Sequence, residues 1–167
     1  MKWTRFVEGY GKGVRFIVYG MGAISACALL FIVAVVVIDV VGRIFGKGIT
    51  GSFDFVRLLS TVVLGGALPY TTAVKGHIAI EFFFRRVGKK WRVFIDTISR
   101  LLMLILFISV IAVLIKHGFS LYASGEVTAT VQLPIFWVPF WLALSFGVTS
   151  LVKIYHILQP GKELIKP

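Results

Sequence analysis

Acidic residues, cysteine and paired metal-ligating side chains are scarce in this sequence, and each scarcity removes a class of function. Cys27 stands alone, so no internal disulfide can form, and its place inside an apolar run reads as that of a small buried hydrophobe. His77, His117 and His156 lie far apart, at or beyond the ends of apolar runs, and share no zinc or haem spacing. No metal and no cofactor is therefore expected in this chain. There is no G-x-S-x-G elbow and no phosphate-cradling glycine loop. Gly65 and Gly66 lie inside an apolar helix, where close packing accounts for them. No residue argues for an enzyme.

The acids are few and peripheral. Glu8, Asp39, Asp54, Glu81, Asp96, Glu126 and Glu163 all fall at the ends of apolar runs or in connections. A charge near the bilayer centre costs about 2.5 to 3.5 kcal/mol on insertion scales and tends to be kept for ion or substrate paths. None is found here. The positions around Cys27, where four-helix multidrug exporters carry a glutamate, are apolar, and no paired broken helices form a midplane site. The chain reads as a partner or scaffold; a stand-alone small membrane exporter or a membrane-embedded enzyme is the alternative.

What the chain has in abundance is apolar length. Hydrophobic residues make up 58% of it and the mean hydropathy is +0.94, values of a membrane protein. A net charge of +11 would point to nucleic acid in a soluble chain, but the cations cluster beside apolar runs, so anionic phospholipids are the expected partner and nucleic acid is not.

Residues 1–15 mix Lys2, Arg5, Lys12 and Arg15 with apolar residues at three-to-four spacing, which suits either an interfacial helix or a basic tail. Residues 16–38 then give 23 uncharged positions, longer than a signal-peptide core and without a cleavage site, and read as a retained anchor. Its early part, with Gly20, Gly22, Ala23, Ser25, Ala26 and Ala28, permits close helix contact. Asp39 and Arg43 close that helix four apart, ahead of a glycine-rich turn, and Asp54 and Arg57 open the second helix three apart. Pro69 should bend that second helix or end its regular part. The 15 uncharged residues 101–115 are too few to span, so the third helix must begin near Lys89 or Trp91 and contain Asp96 and Arg100. The fourth run, 127–152, is placed as a helix from about Pro134, with Phe136, Trp137, Phe140 and Trp141 as an aromatic belt. The expected fold is an all-α integral membrane domain, residues 1–167, with spans at about 16–41, 54–74, 91–116 and 134–156 and a cytoplasmic interfacial loop at 75–90.

Charge sets the orientation. The tail before the first span carries four Lys and Arg, the 75–92 segment six and the C-terminal end, from Lys153 on, three, thirteen in all, against three in the other two connections. By the positive-inside rule both termini and the central loop are expected in the cytoplasm, with the turns near Gly46 and Gly125 outside. In the central loop, Ile78, Ile80, Phe82, Phe83 and Phe84 precede Arg85 and Arg86. A segment lying along the inner leaflet is expected, with Trp91 anchoring the next helix.

The run 51–88, GSFDFVRLLSTVVLGGALPYTTAVKGHIAIEFFFRRVG, resembles the signature region of the small, DctQ-like membrane subunit of TRAP (tripartite ATP-independent periplasmic) transporters. The resemblance rests on Asp54 and Arg57, on the small residues from Gly65 to Ala67, and on Gly76, His77, Ile78 and Glu81, with Arg43 after the first helix also similar to the family's pattern. It implies a bacterial or archaeal cytoplasmic membrane and a heterodimer with a large, many-helix membrane subunit. Sodium and an organic acid, a carboxylate or a sialic acid, would bind in that subunit after delivery by a periplasmic substrate-binding protein. This chain would then be a scaffold. On that reading Asp39, Arg43, Asp54, Arg57 and Glu126 are candidate contacts with the partner or the binding protein, or pair only with one another. Gly76, His77, Ile78, Glu81, Arg85, Arg86 and Trp91 are candidate motif and interfacial residues, with His77 and Glu81 placed for a local or a partner contact.

Overall fold

The computed structural model describes residues 2–74 and 89–158, with side chains described for 9–74, 98, 99 and 101–155. Among these residues the chain is four helices: α1 (Lys2–Ile44), α2 (Ser52–Ala73), α3 (Lys89–Ser124) and α4 (Trp137–Leu158). Each contains a stretch long and apolar enough to cross a membrane, namely Gly9–Ile44, Ser52–Ala73, Leu101–Ser124 and Trp137–Tyr155. The all-helical, four-span architecture expected from the apolar runs is therefore present. The candidates Gly76, His77, Ile78, Glu81, Arg85 and Arg86, and with them most of the 75–90 loop, lie outside the described residues. Trp91 lies on α3 with its side chain outside them.

Helix α4 packs against all three others, while α1 packs chiefly on α2 and α3 on α4. One buried cluster joins Val14, Val18 and Met21 of α1, Ala73 of α2, and Val148, Val152 and Tyr155 of α4. That cluster explains why the N-terminal segment is no separate interfacial helix. The Tyr10 hydroxyl donates to the Leu151 carbonyl at 3.0 Å, and Gly11 lies so close to the Tyr155 ring that a Cβ there would stand 2.8 Å from it. Held against α4, the basic segment runs straight into the first span as one helix of 43 residues.

Between α3 and α4 the joint is aromatic. Phe107 meets Phe146 edge-on at 5.4 Å, Phe119 meets Phe140 at 5.3 Å, and Tyr122 meets Phe136 at 5.3 Å. Phe136 and Phe140 thus close the α3–α4 seam, where the sequence suggested a belt facing the interface. The seam also carries α3 to Ser124, because Gly118 accommodates the Phe140 ring. Helix α4 starts at Trp137 and not at Pro134, which is bridged to Val127 in the preceding connection. Pro139 lies in the first turn of α4, where a helix needs no backbone donor.

Two further expectations are corrected. Cys27 is exposed on the outer surface of α1 and not buried. Pro69 does not end α2, one of the two outcomes expected of it: it is buried inside the helix, which continues to Ala73. A proline cannot donate to the carbonyl four residues earlier, here that of Gly65, and in a bilayer no water is at hand to do so. The Ser145 hydroxyl of α4 donates to Gly65 O instead. Ser25 of α1 donates likewise to Val63 O, and the Trp141 indole N–H reaches Val62 O at 3.3 Å. Such contacts need closely spaced backbones, and the glycine pair provides them. A Cβ on Gly65 would stand 2.6 Å from the Trp141 indole nitrogen, and one on Gly66 2.6 Å from Met21 O.

Candidate functional site at the loop end of the bundle

Both short connections lie at one end of the bundle, and two aspartates hold them there. Helix α1 ends in a Schellman motif. Gly46, at φ 73°, donates to Arg43 O at 3.0 Å, and Lys47 N donates to Gly42 O at 2.7 Å. This turn brings the connection back over Asp39. One oxygen of Asp39 accepts from Ile49 N at 2.7 Å, and the other from Ser52 Oγ at 3.0 Å and Arg43 Nε at 2.9 Å. Gly48 packs against this cluster, 2.9 Å from Arg43 Cγ if it carried a Cβ.

Residues 126–135 form a small hairpin between α3 and α4. Thr128 N donates to Leu133 O at 2.9 Å, Leu133 N returns a bond to Thr128 Oγ1 at 3.1 Å, and Ile135 N donates to Glu126 O at 3.3 Å. Gln132 takes the left-handed conformation, φ 58°, that the turn requires. At the tip, Thr130 N and Val131 N both donate to Asp54 Oδ2, each at 2.9 Å. Asp54 thereby joins the first turn of α2 to a loop 76 residues further on. Gly51, just before α2, has φ 83°, and a Cβ there would run into Val131.

This geometry separates the five candidates by direction. The two aspartates turn inward: Asp39 is 8% exposed and Asp54 4%, their oxygens occupied by donors of the two connections. The cations turn outward. The Arg43 side chain is 66% exposed while it pairs with Asp39, and Arg57 is exposed without an ion pair among the described residues. Asp54 and Arg57, three apart in sequence, form no salt bridge, since Asp54 is committed to the hairpin. Glu126 is exposed at the base of the hairpin, where its carbonyl accepts from Ile135 N.

Around these charges Ile44, Phe45 and Phe53 are each more than three quarters exposed. The loop end therefore offers two arginines, Glu126 and apolar side chains to whatever meets it, with Asp39 and Asp54 withdrawn. No group of three His, Cys, Asp or Glu that could hold a metal occurs among the described residues.

Sequence reasoning missed Ser52, Thr128, Thr130, Val131 and Ser145. A polar side chain such as Ser145 in an apolar run, read together with the donor lost at Pro69, was the available signal for the last of these. For the hairpin there was no such signal, since residues 128–132 contain no glycine, proline, asparagine, aspartate or serine.

A family model of the DctQ component of tripartite ATP-independent periplasmic transporters matches residues 32–162 of the chain. No curated protein and no solved structure matches it.

Proposed function

We propose a division of labour that proceeds from one premise: this chain belongs to the DctQ family and is the small membrane subunit of a tripartite ATP-independent periplasmic transporter. The family is a transporter component that works with a large membrane subunit and a periplasmic binding protein. On our reading the transport is sodium-coupled and carries an organic acid of the carboxylate or sialic acid class, both held by the large subunit. This chain is the scaffold, staying fixed while its partner moves, and it takes part in docking the binding protein. Its basic segments rest on anionic phospholipid, with Arg85 and Arg86 at phosphates.

The observation that carries the docking role is the opposite facing of the two aspartates and the two arginines at the loop end. The Arg43 and Arg57 side chains are exposed near Phe45 and Phe53, Arg43 while it pairs with Asp39, and Asp39 and Asp54 hold the connections. A rigid end with outward cations suits an acidic surface of a soluble partner. We place this end in the periplasm and both termini in the cytoplasm, a reading supported by the thirteen-to-three cation asymmetry and by the two cation-poor connections lying together.

The test is uptake by vesicles containing this chain and its large subunit, driven by added binding protein. Arg43→Ala and Arg57→Ala are expected to raise the binding-protein concentration needed for half-maximal uptake and to leave co-purification with the large subunit intact. Unchanged uptake in both variants would rule out the docking role.

A further inference from the structure

We infer that the groove between α1 and α2 holds one acyl chain of an anionic phospholipid, with the lipid's phosphate at Lys12 and Arg15. This inference goes beyond the scaffold reading and does not depend on it. The groove is almost wholly apolar, has a volume of about 220 Å³, and is lined by Gly22, Ser25, Ala26 and Leu29 on α1 and Val63, Ala67 and Tyr70 on α2, the Ser25 hydroxyl being turned to Val63 O.

The register of α1 ties the groove to a cationic end. Val14, Val18, Met21, Ser25 and Ala28 form the buried stripe, at spacings of four, three, four and three. One residue further round, at the same spacings, Arg15, Tyr19, Gly22, Ala26 and Leu29 form a second stripe, and this one leads along the groove. Lys12 lies one turn before Arg15. Both cations are exposed and neither forms an ion pair among the described residues. Between cations and groove, the rings of Tyr19 and Tyr70 meet at 6.2 Å, both partly open to the surroundings. Tyrosines with a wet hydroxyl and an apolar body belong at the headgroup level.

The lengths agree. From Arg15 to Leu29 the helix rises about 21 Å at 1.5 Å per residue. One leaflet, headgroup included, is about 20 to 22 Å thick. The sequence of features along α1 is therefore that of one lipid molecule: cations, then interfacial rings, then a dry groove floored by glycine and alanine. A phosphate opposite Lys12 and Arg15 supplies a countercharge that they lack among the described residues, and the acyl chain fills space that the small side chains leave open.

The chain co-purified with its large membrane subunit, exchanged into micelles containing either phosphatidylglycerol or phosphatidylcholine, can be weighed intact by native mass spectrometry. The wild type is expected to retain one phosphatidylglycerol that Ala26→Trp, which fills the groove, does not. The double change Lys12→Gln with Arg15→Gln is expected to weaken phosphatidylglycerol retention on the order of tenfold and to leave phosphatidylcholine unaffected. Lys116→Gln, near the other end of the bundle, should change neither. Ala26→Leu is a milder filler, expected to weaken retention several-fold, and serves where the tryptophan variant fails to assemble. Retention by both Ala26 variants equal to wild type would overturn the inference. So would a wild-type complex that keeps no lipid, its groove occupied by protein, or an undiminished phosphatidylglycerol preference in the double variant.

Discussion

Ser145 on α4 donates its hydroxyl to the carbonyl of Gly65 on α2, the acceptor that Pro69 leaves without a backbone partner. A helix that loses a donor within a membrane has few ways to recover it. Here the replacement comes from a neighbouring helix, so the proline defect in α2 is also an α2–α4 joint.

Ser145→Ala should therefore destabilise the chain by about 0.5 to 2 kcal/mol, the range of interhelical hydrogen bonds in membranes. Pro69→Ala restores the backbone donor, and in that background Ser145→Ala should cost much less. Thermal unfolding of the two single variants and the double variant in one detergent gives the coupling. Additive effects would mean that Ser145 acts through something other than the freed carbonyl.

Asp54 is expected to control the order of the α3–α4 hairpin. Asp54→Ala strands the amides of Thr130 and Val131, and their hydrogen exchange should accelerate by on the order of tenfold or more, with little change in the α3–α4 seam. Asp54→Asn keeps an acceptor oxygen and should retain most of the protection. Equal exchange in the alanine variant and the wild type would show that the hairpin holds its shape unaided.

Gly51 and Gly125 both have positive φ, 83° and 66°, but only Gly51 is crowded. Alanine at either site meets a backbone cost of about 1 kcal/mol. At Gly51 the new methyl also meets Val131, so Gly51→Ala should lower the melting temperature clearly more than Gly125→Ala. A reversed order would contradict the described contact between the two connections.

Arg43→Gln removes an exposed partner from Asp39, which keeps its bonds to Ile49 and Ser52. The melting temperature should stay within about 2 °C of the wild type. A loss of uptake in this variant would then report a contact with another protein and not a folding defect.

The number of helices and their approximate places were legible because uncharged runs of 15 to 26 residues, the shortest extended into its basic flank, leave little choice in a bilayer. The common end of the two cation-poor connections was legible too, since four spans with alternating loops require it. Contacts that cross the chain were not. Nothing near Asp54 in sequence says that its partners are Thr130 and Val131, and its neighbour Arg57 points to the wrong pairing. Asp39 and Arg43 do pair, because a spacing of four suffices within one helix. The continuous α1 was hidden for a related reason. The change from basic to apolar composition near Arg15 looks like a boundary, but the contacts that keep the helix going, Tyr10 with Leu151 and Gly11 with Tyr155, come from the far end of the chain.

Helix α4, which touches every other helix, is also the last of the four to leave the ribosome. Until it enters the membrane, α1 and α2 can pair through Ser25 and Gly66, but α3 has no established neighbour and the Gly65 carbonyl has no donor. Biogenesis thus closes only once α4 has been made, and a nascent chain halted before Trp137 presents to the quality-control machinery an unsealed proline site that the assembled bundle conceals.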